Sequence, residues 1–234
     1  MLAAVITPPA EPPARTLLAA KLLDMLASPG DVFEEVIGAP PRVVNWLVPT
    51  LFASLAGLVL LAATSSTEHT AAVIAQMVEA GKLSATQAQT ASGNWKGVAS
   101  LVTCLGAFTG SLWSAFLLWF IGLALLKTRF SYLKAVEVVA LTSVITALGA
   151  IVTALLVAAS GNVAARPALS LLVRHLAPGT RVFLMLDTLN LFHLWATTVL
   201  ALGLARLSGV SFKEAAFWVF GYWVVTRILV LILA

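Results

Sequence analysis

Charge is what this sequence has least of. Only 10% of its 234 residues are Asp, Glu, Lys or Arg, while 60% are hydrophobic. A soluble domain carries about a quarter charged residues, so this chain cannot coat a water-facing surface, and a mean hydropathy of +1.00 agrees. A soluble globular protein is excluded. There is a single cysteine, Cys104, so no intramolecular disulfide can form; set in an apolar run, it reads as a small buried residue. No run of Lys and Arg of the kind that holds nucleic acid occurs, and the pI of 9.6 reflects membrane topology and attraction to anionic lipid. A secretory signal peptide is not expected either, because Lys21 and Asp24 interrupt "RTLLAAKLLDML".

Catalytic constellations are missing too. The sequence holds no P-loop, no GxGxxG, no HExxH and no GxSxG. Its three histidines, His69, His175 and His193, lack metal-ligand spacing, and the adjacent Glu34 and Glu35 make a poor acid–base pair. The expectation is a protein that is not an enzyme, with no catalytic residue, no metal and no cofactor.

What the chain does have is long apolar runs. Uncharged stretches of about 20 residues mark membrane spans. They run from Val43 to Ala63, Gly97 to Leu126, Val138 to Ala165 and Thr188 to Ala205, with a last one from Ala215 to Ala234 broken only by Arg227. The fold class is therefore all-α: a polytopic helical membrane protein with spans at about 43–63, 98–126, 136–160, 185–207 and 214–234. Residues 1–42 form a separate N-terminal region and 43–234 the membrane domain. Five spans put the termini on opposite sides. With the N-terminus inside, the cytoplasmic side carries Arg15, Lys21, Arg42, Lys127, Arg129, Lys134, Arg206 and Lys213, eight cations. The outer loops carry five, Lys82, Lys96, Arg166, Arg174 and Arg181. That balance favours a cytoplasmic N-terminus and an outer C-terminus, in a bacterial inner membrane.

Before the first span lie a Pro-rich tail and two short helices. Leu18, Leu22, Met25 and Leu26 fall at helical spacing opposite Arg15, Lys21, Asp24 and Ser28, an amphipathic pattern that suits the membrane interface. Next comes "SPGDVFEEVIGAPP". Ser28 suits the N-cap and Pro29 the first helical position, and Asp31, Glu34 and Glu35 complement the positive end of the helix dipole. Gly38 is the expected C-terminal stop, with Pro40 and Pro41 preventing continuation. Phe33, Glu34, Glu35 and Ile37 are the candidate interfacial docking residues, for a membrane or cytosolic protein partner.

The spacing Pro29, Val32-Phe33, Ile37, Pro40 before the first of five spans resembles the Yip1 domain family. "GKLSATQ" in the first outer loop and "SFKEA" before the last span add to the likeness, which covers about Leu23 to Ala234. The resemblance implies a five-span protein with a cytosolic N-terminus. Eukaryotic members are linked to Golgi trafficking and Rab GTPase binding, and prokaryotic members mostly lack an assigned activity. This chain is without the long cytosolic arm of the eukaryotic type, so a GTPase role is not expected.

"GLALLKTRFSYLKA" (Gly122 to Ala135) parallels "GLARLSGVSFKEA" (Gly203 to Ala215) after deletion of one residue. Each ends a span and starts the next helix at a Ser cap, with Ser211 and Glu214 forming a capping box. Spans two-three and four-five are accordingly expected to be parallel hairpin repeats about an axis along the membrane normal. Gly106, Gly110 and Ser114 form a small-residue stripe for helix packing. In the outer loops, helices are expected around Ala71 to Ala80, from a Ser84 cap, and in "ALSLLVRHLAPGTR".

One polar cluster remains inside the membrane region. Asp187, Asn190 and His193 recur every three residues on one face of span four, and the turn near Gly209 puts Arg227 at the depth of His193. A mid-span Arg costs about 2.5–3.5 kcal/mol on insertion scales and so faces protein or water. The four form either a structural clamp or the wall of a polar cavity. Two functions follow: a non-enzymatic membrane protein that organises the bilayer or binds partner proteins, with self-association as a homo-oligomer open, or a small transporter or channel with its site between spans four and five.

Overall fold

The computed structural model describes residues 17–65, 67–82, 84–173, 176 and 180–233. Among them the regular elements are helices joined by short connections. The chain comprises α1 (Leu18–Ala27), α2 (Pro29–Gly38), α3 (Val43–Thr64), α4 (Thr67–Glu79), α5 (Ala85–Phe120), α6 (Tyr132–Ser160), α7 (Arg181–Thr188), α8 (Leu191–Ser208) and α9 (Phe212–Leu233). A π-turn at Ile121–Leu125 ends α5, and a 3₁₀ turn at Leu169–Val173 precedes α7. Five helices among the described residues are long and apolar enough to cross a bilayer: Val43–Thr64, Trp95–Leu125, Tyr132–Ser160, Leu191–Ser208 and Phe212–Ile232. Alternating directions give the bundle two ends. The α1 end carries α1, α2 and the α5–α6 and α8–α9 turns; the far end carries α4, the 3₁₀ turn and α7.

The core is organised around α6, which is 61% buried over its apolar window, against 11% for α9. It packs most extensively on α3 and next on α8. Glycine lets α8 approach closely: a Cβ on Gly203 would collide with Val138 of α6 and lie 3.2 Å from Phe33 of α2. At the other end Gly149 of α6 sits under Phe192 of α8, with 2.7 Å to a built Cβ. Lipid bathes the rest, which explains why Trp113, Phe217 and Leu155 are exposed without cost.

Several local expectations turn out differently. The break before α3 is made by Ala39, extended ahead of Pro40 as a pre-proline residue prefers, rather than by Gly38, which is the last helical residue. Ser28 precedes α2, but its side chain makes no capping bond. The Ser84 cap is present as a full capping box with Gln87, and α5 then runs unbroken into the second span. "ALSLLVRHLAPGTR" begins as a 3₁₀ turn, and its residues 174–175 and 177–179, His175 included, lie outside the described residues. Span four begins at Leu191, not near 185: Leu189 leaves the helical path and Asn190 caps a new helix.

The two hairpins also differ. Gly209 closes the α8–α9 turn in the left-handed conformation at φ 69°, where only glycine is unstrained. The α5–α6 turn passes through the π-turn and Lys127 at φ 54°. Ser211 accepts from the Glu214 N–H; Ser131 makes no such bond. With α6 central and α9 peripheral, these segments occupy unlike surroundings despite their matching sequence.

Candidate functional site

The most tightly built polar site lies at the α1 end. Glu137, in the second turn of α6, is fully buried at 0% exposure. Its Oε1 accepts from the Arg42 backbone N–H at 2.8 Å and from Asn45 Nδ2 at 2.9 Å. Its Oε2 accepts from Lys134 Nζ at 2.6 Å, and Lys134 Nζ also donates to the Val36 carbonyl at 2.6 Å. One carboxylate thus ties together the end of α2, the start of α3 and the start of α6. Hydrogen bonds to a charged group are roughly twice as strong as neutral ones, and the network leaves neither buried charge unpaired, the condition under which a buried pair is tolerated.

That network anchors the end of α2 to α6, and packing and ion pairs hold both N-terminal helices on the bundle. Phe33 is 0% and Val36 1% exposed, in one core with Met25 of α1. Lys21 pairs with Glu35 at 2.9 Å, and Glu34 with Arg206 of α8 at 2.6 Å. Gly30 lies against Leu202 and Arg206. The candidate docking set is therefore engaged within the chain: Phe33 is buried under α8, Glu34 and Glu35 are ion-paired, and Ile37 packs at the core edge. Lys21, assigned by periodicity to a polar, water-facing side, is itself buried, because its partner is in α2 rather than in solvent.

The second site is at the far end. Backbone bonds staple the segment after α6 to the α7–α8 junction: Leu191 N–H donates to the Pro167 carbonyl at 3.0 Å, and Ala168 pairs with Asn190 in an isolated bridge. The staple brings Arg166 and Ser170 to Asp187. Ser170 Oγ donates to Asp187 Oδ1 at 2.9 Å, and Arg166 Nε lies 3.6 Å from Oδ2. Asn190 Oδ1 accepts from the Phe192 and His193 N–H groups, capping α8. Asp187, Asn190, His193 and Arg166 line a cavity of about 160 Å³ whose floor includes Gly149 and Thr146.

Arg227 stands apart. It is not a wall of that cavity, its guanidinium lies 5.8 Å from the Trp223 ring on its own helix, and its Nε has no hydrogen-bond partner among the described residues. So three of the four expected residues meet, while the cation beside Asp187 is Arg166. Asp187 and Asn190 also do not share a continuous helix, since α7 ends between them.

Gly106, Gly110 and Ser114 do not face a neighbouring helix at close range. A Cβ on either glycine would meet nothing within 4 Å, and the stripe lines a slot of about 380 Å³ between α5, α3, α6 and α8. The close contact of α5 is elsewhere, where Thr103 approaches Gly57 of α3 at 2.8 Å from a built Cβ.

Sequence reasoning missed Glu137, Asn45, Arg166 and Ser170. A signal existed for the first: Lys134 and Glu137, at i and i+3 on a helix, straddle the polar edge of an apolar run. Arg166 and Ser170 had none, because the staple that presents them is made by backbone groups.

Among the described residues no group of three or more His, Cys, Asp or Glu side chains could hold a metal. No curated protein and no solved structure matches the chain. The Yip1 domain model matches residues 23–234, nearly its whole length. With five apolar helices able to span a bilayer, this chain is an integral membrane protein that belongs to the Yip1 domain family.

Proposed function

We propose that the protein is a non-enzymatic organising component of a bacterial inner membrane that binds a protein partner on a rigid cytoplasmic platform formed by α1 and α2. The observation that carries this reading is the Glu137 network. It spends a buried carboxylate, a buried lysine and an asparagine on holding the end of α2 against α3 and α6, and the Lys21–Glu35 pair ties α1 to α2. A simple entry segment could lie on lipid without such fixing. Leu17, Leu23, Asp24 and Asp31 remain exposed on the platform, a mixed apolar and acidic surface suited to a partner with a basic rim. Eight of thirteen loop cations on the α1 side support its placement in the cytoplasm.

Photo-crosslinking residues placed at Leu23 and Asp31 should yield discrete protein adducts in native membranes, and Glu137→Gln should remove them. Adducts no different from those of a crosslinker at lipid-facing Leu155 would refute the reading. The transporter reading is favoured by the polar cavity and the helix break at Asn190, but the α1 end is filled by Phe33, Val36 and the Glu137 network. Cysteines at Thr146 and Val138 discriminate the two: labelling of both by a water-soluble thiol reagent would indicate a path across and favour transport.

A further inference from the structure

We propose that the far-end cleft is a phospholipid site, with one acyl chain in the slot beside Gly106 and Gly110 and the headgroup phosphate on Arg166. Three cavities adjoin one another along the cleft. Arg166 borders both the 160 Å³ polar cavity and a wider mouth of about 690 Å³, which shares Gly57 and Thr103 with the 380 Å³ slot. Polar groups therefore stand at the membrane boundary and small side chains line the bilayer interior, the same gradient as a phospholipid.

The slot looks polar by composition but is mostly apolar to an occupant. Of its six hydroxyl side chains, Thr103, Thr142, Ser143 and Thr146 each donate to a carbonyl of their own helix, which leaves Ser111 and Ser114 as polar groups in a wall otherwise of methyl and methylene groups. A void of this size among mostly apolar walls is filled by whatever adjoins it, and in a bilayer that is an acyl chain. At the mouth, Arg166 is 43% exposed and engages Asp187 only at 3.6 Å through Nε. Its terminal nitrogens have no hydrogen bond among the described residues, so they are free for a phosphate in the forked geometry that suits guanidinium. Asp187, beside it, would repel a second anion and accept an ammonium. The headgroup that satisfies both signs is a phosphodiester bearing a primary amine, as in phosphatidylethanolamine.

The test is native mass spectrometry of the full chain in detergent, titrated separately with dioleoyl phosphatidylethanolamine, dioleoyl phosphatidylglycerol and soluble O-phosphoethanolamine. The expected result is retained phosphatidylethanolamine, weakened about fivefold to tenfold by Arg166→Gln and displaced by Gly110→Leu, which fills the slot from an open position. Asp187→Asn should erase the preference over phosphatidylglycerol. Equal binding of the two lipids by the unmodified protein would overturn the headgroup assignment. Equal binding of the soluble headgroup would overturn the acyl slot, and wild-type binding by Gly106→Leu and Gly110→Leu alike would do the same.

Discussion

Glu137→Gln is the substitution with the largest expected effect for the smallest change of shape. The amide keeps the volume and one acceptor, so the Arg42 N–H and Asn45 bonds can persist in weakened form. What is lost is the negative charge opposite Lys134, whose side chain is only 10% exposed and whose one other acceptor is the Val36 carbonyl. Breaking a buried pair by removing one partner costs about 3–5 kcal/mol. For a chain of this length each kcal/mol moves the midpoint by about 2–4 °C, so a fall of about 6–20 °C is expected. Thermal unfolding in detergent, followed by the reactivity of Cys104 with a fluorogenic maleimide, measures it. Lys134→Met alone should cost a similar amount, while Glu137→Gln with Lys134→Met should cost clearly less than the two added, because no buried charge is then left without a partner. Additive losses, or a shift under about 2 °C for either single change, would refute the reasoning.

Three further outcomes follow. Gly203→Leu should destabilise by about 1–3 kcal/mol through overpacking against Val138 and Phe33, and Gly106→Leu, whose Cβ meets open space, should leave the same melting curve nearly unchanged in lipid-free detergent. A double-mutant cycle of Arg166→Gln with Asp187→Asn should show coupling of about 0.5–1 kcal/mol, whereas Arg227→Leu with Asp187→Asn should be additive within about 0.5 kcal/mol; the reverse ranking would restore Arg227 as the partner of Asp187. Reporter fusions should give a cytoplasmic signal at Met1 and an external one at Ala234, and matching signals from both ends would rule out an odd number of spans.

The five-helix architecture was legible because length and hydropathy alone decide it, and no soluble alternative can bury so much apolar surface. Polar contacts were legible only where local sequence governs them. The Ser84 cap is set by its immediate neighbours and forms as expected, with Gln87 completing a capping box. Asp187, Asn190 and His193 looked like one helical face because a period of three fits a helix, yet Asn190 is an N-cap that begins a new one; an Asn before an apolar run supports either role. Lys21 and Arg166 find partners 14 and 21 residues away, and Glu137 finds Asn45 92 positions back. Such pairings depend on how helices are arranged in space, which periodicity does not encode. Gly106 and Gly110 failed in the opposite sense: small spacing permits close packing but does not supply the neighbour.

The central claim is that α1 and α2 are fixed to the bundle rather than floating on lipid. Double electron–electron resonance between spin labels at Asp31 and Lys213, with Cys104 replaced by Ala and the protein in lipid nanodiscs, tests it most directly. The account predicts a single narrow distance distribution that broadens when Glu137→Gln is added. A broad distribution already present with Glu137 in place would contradict it.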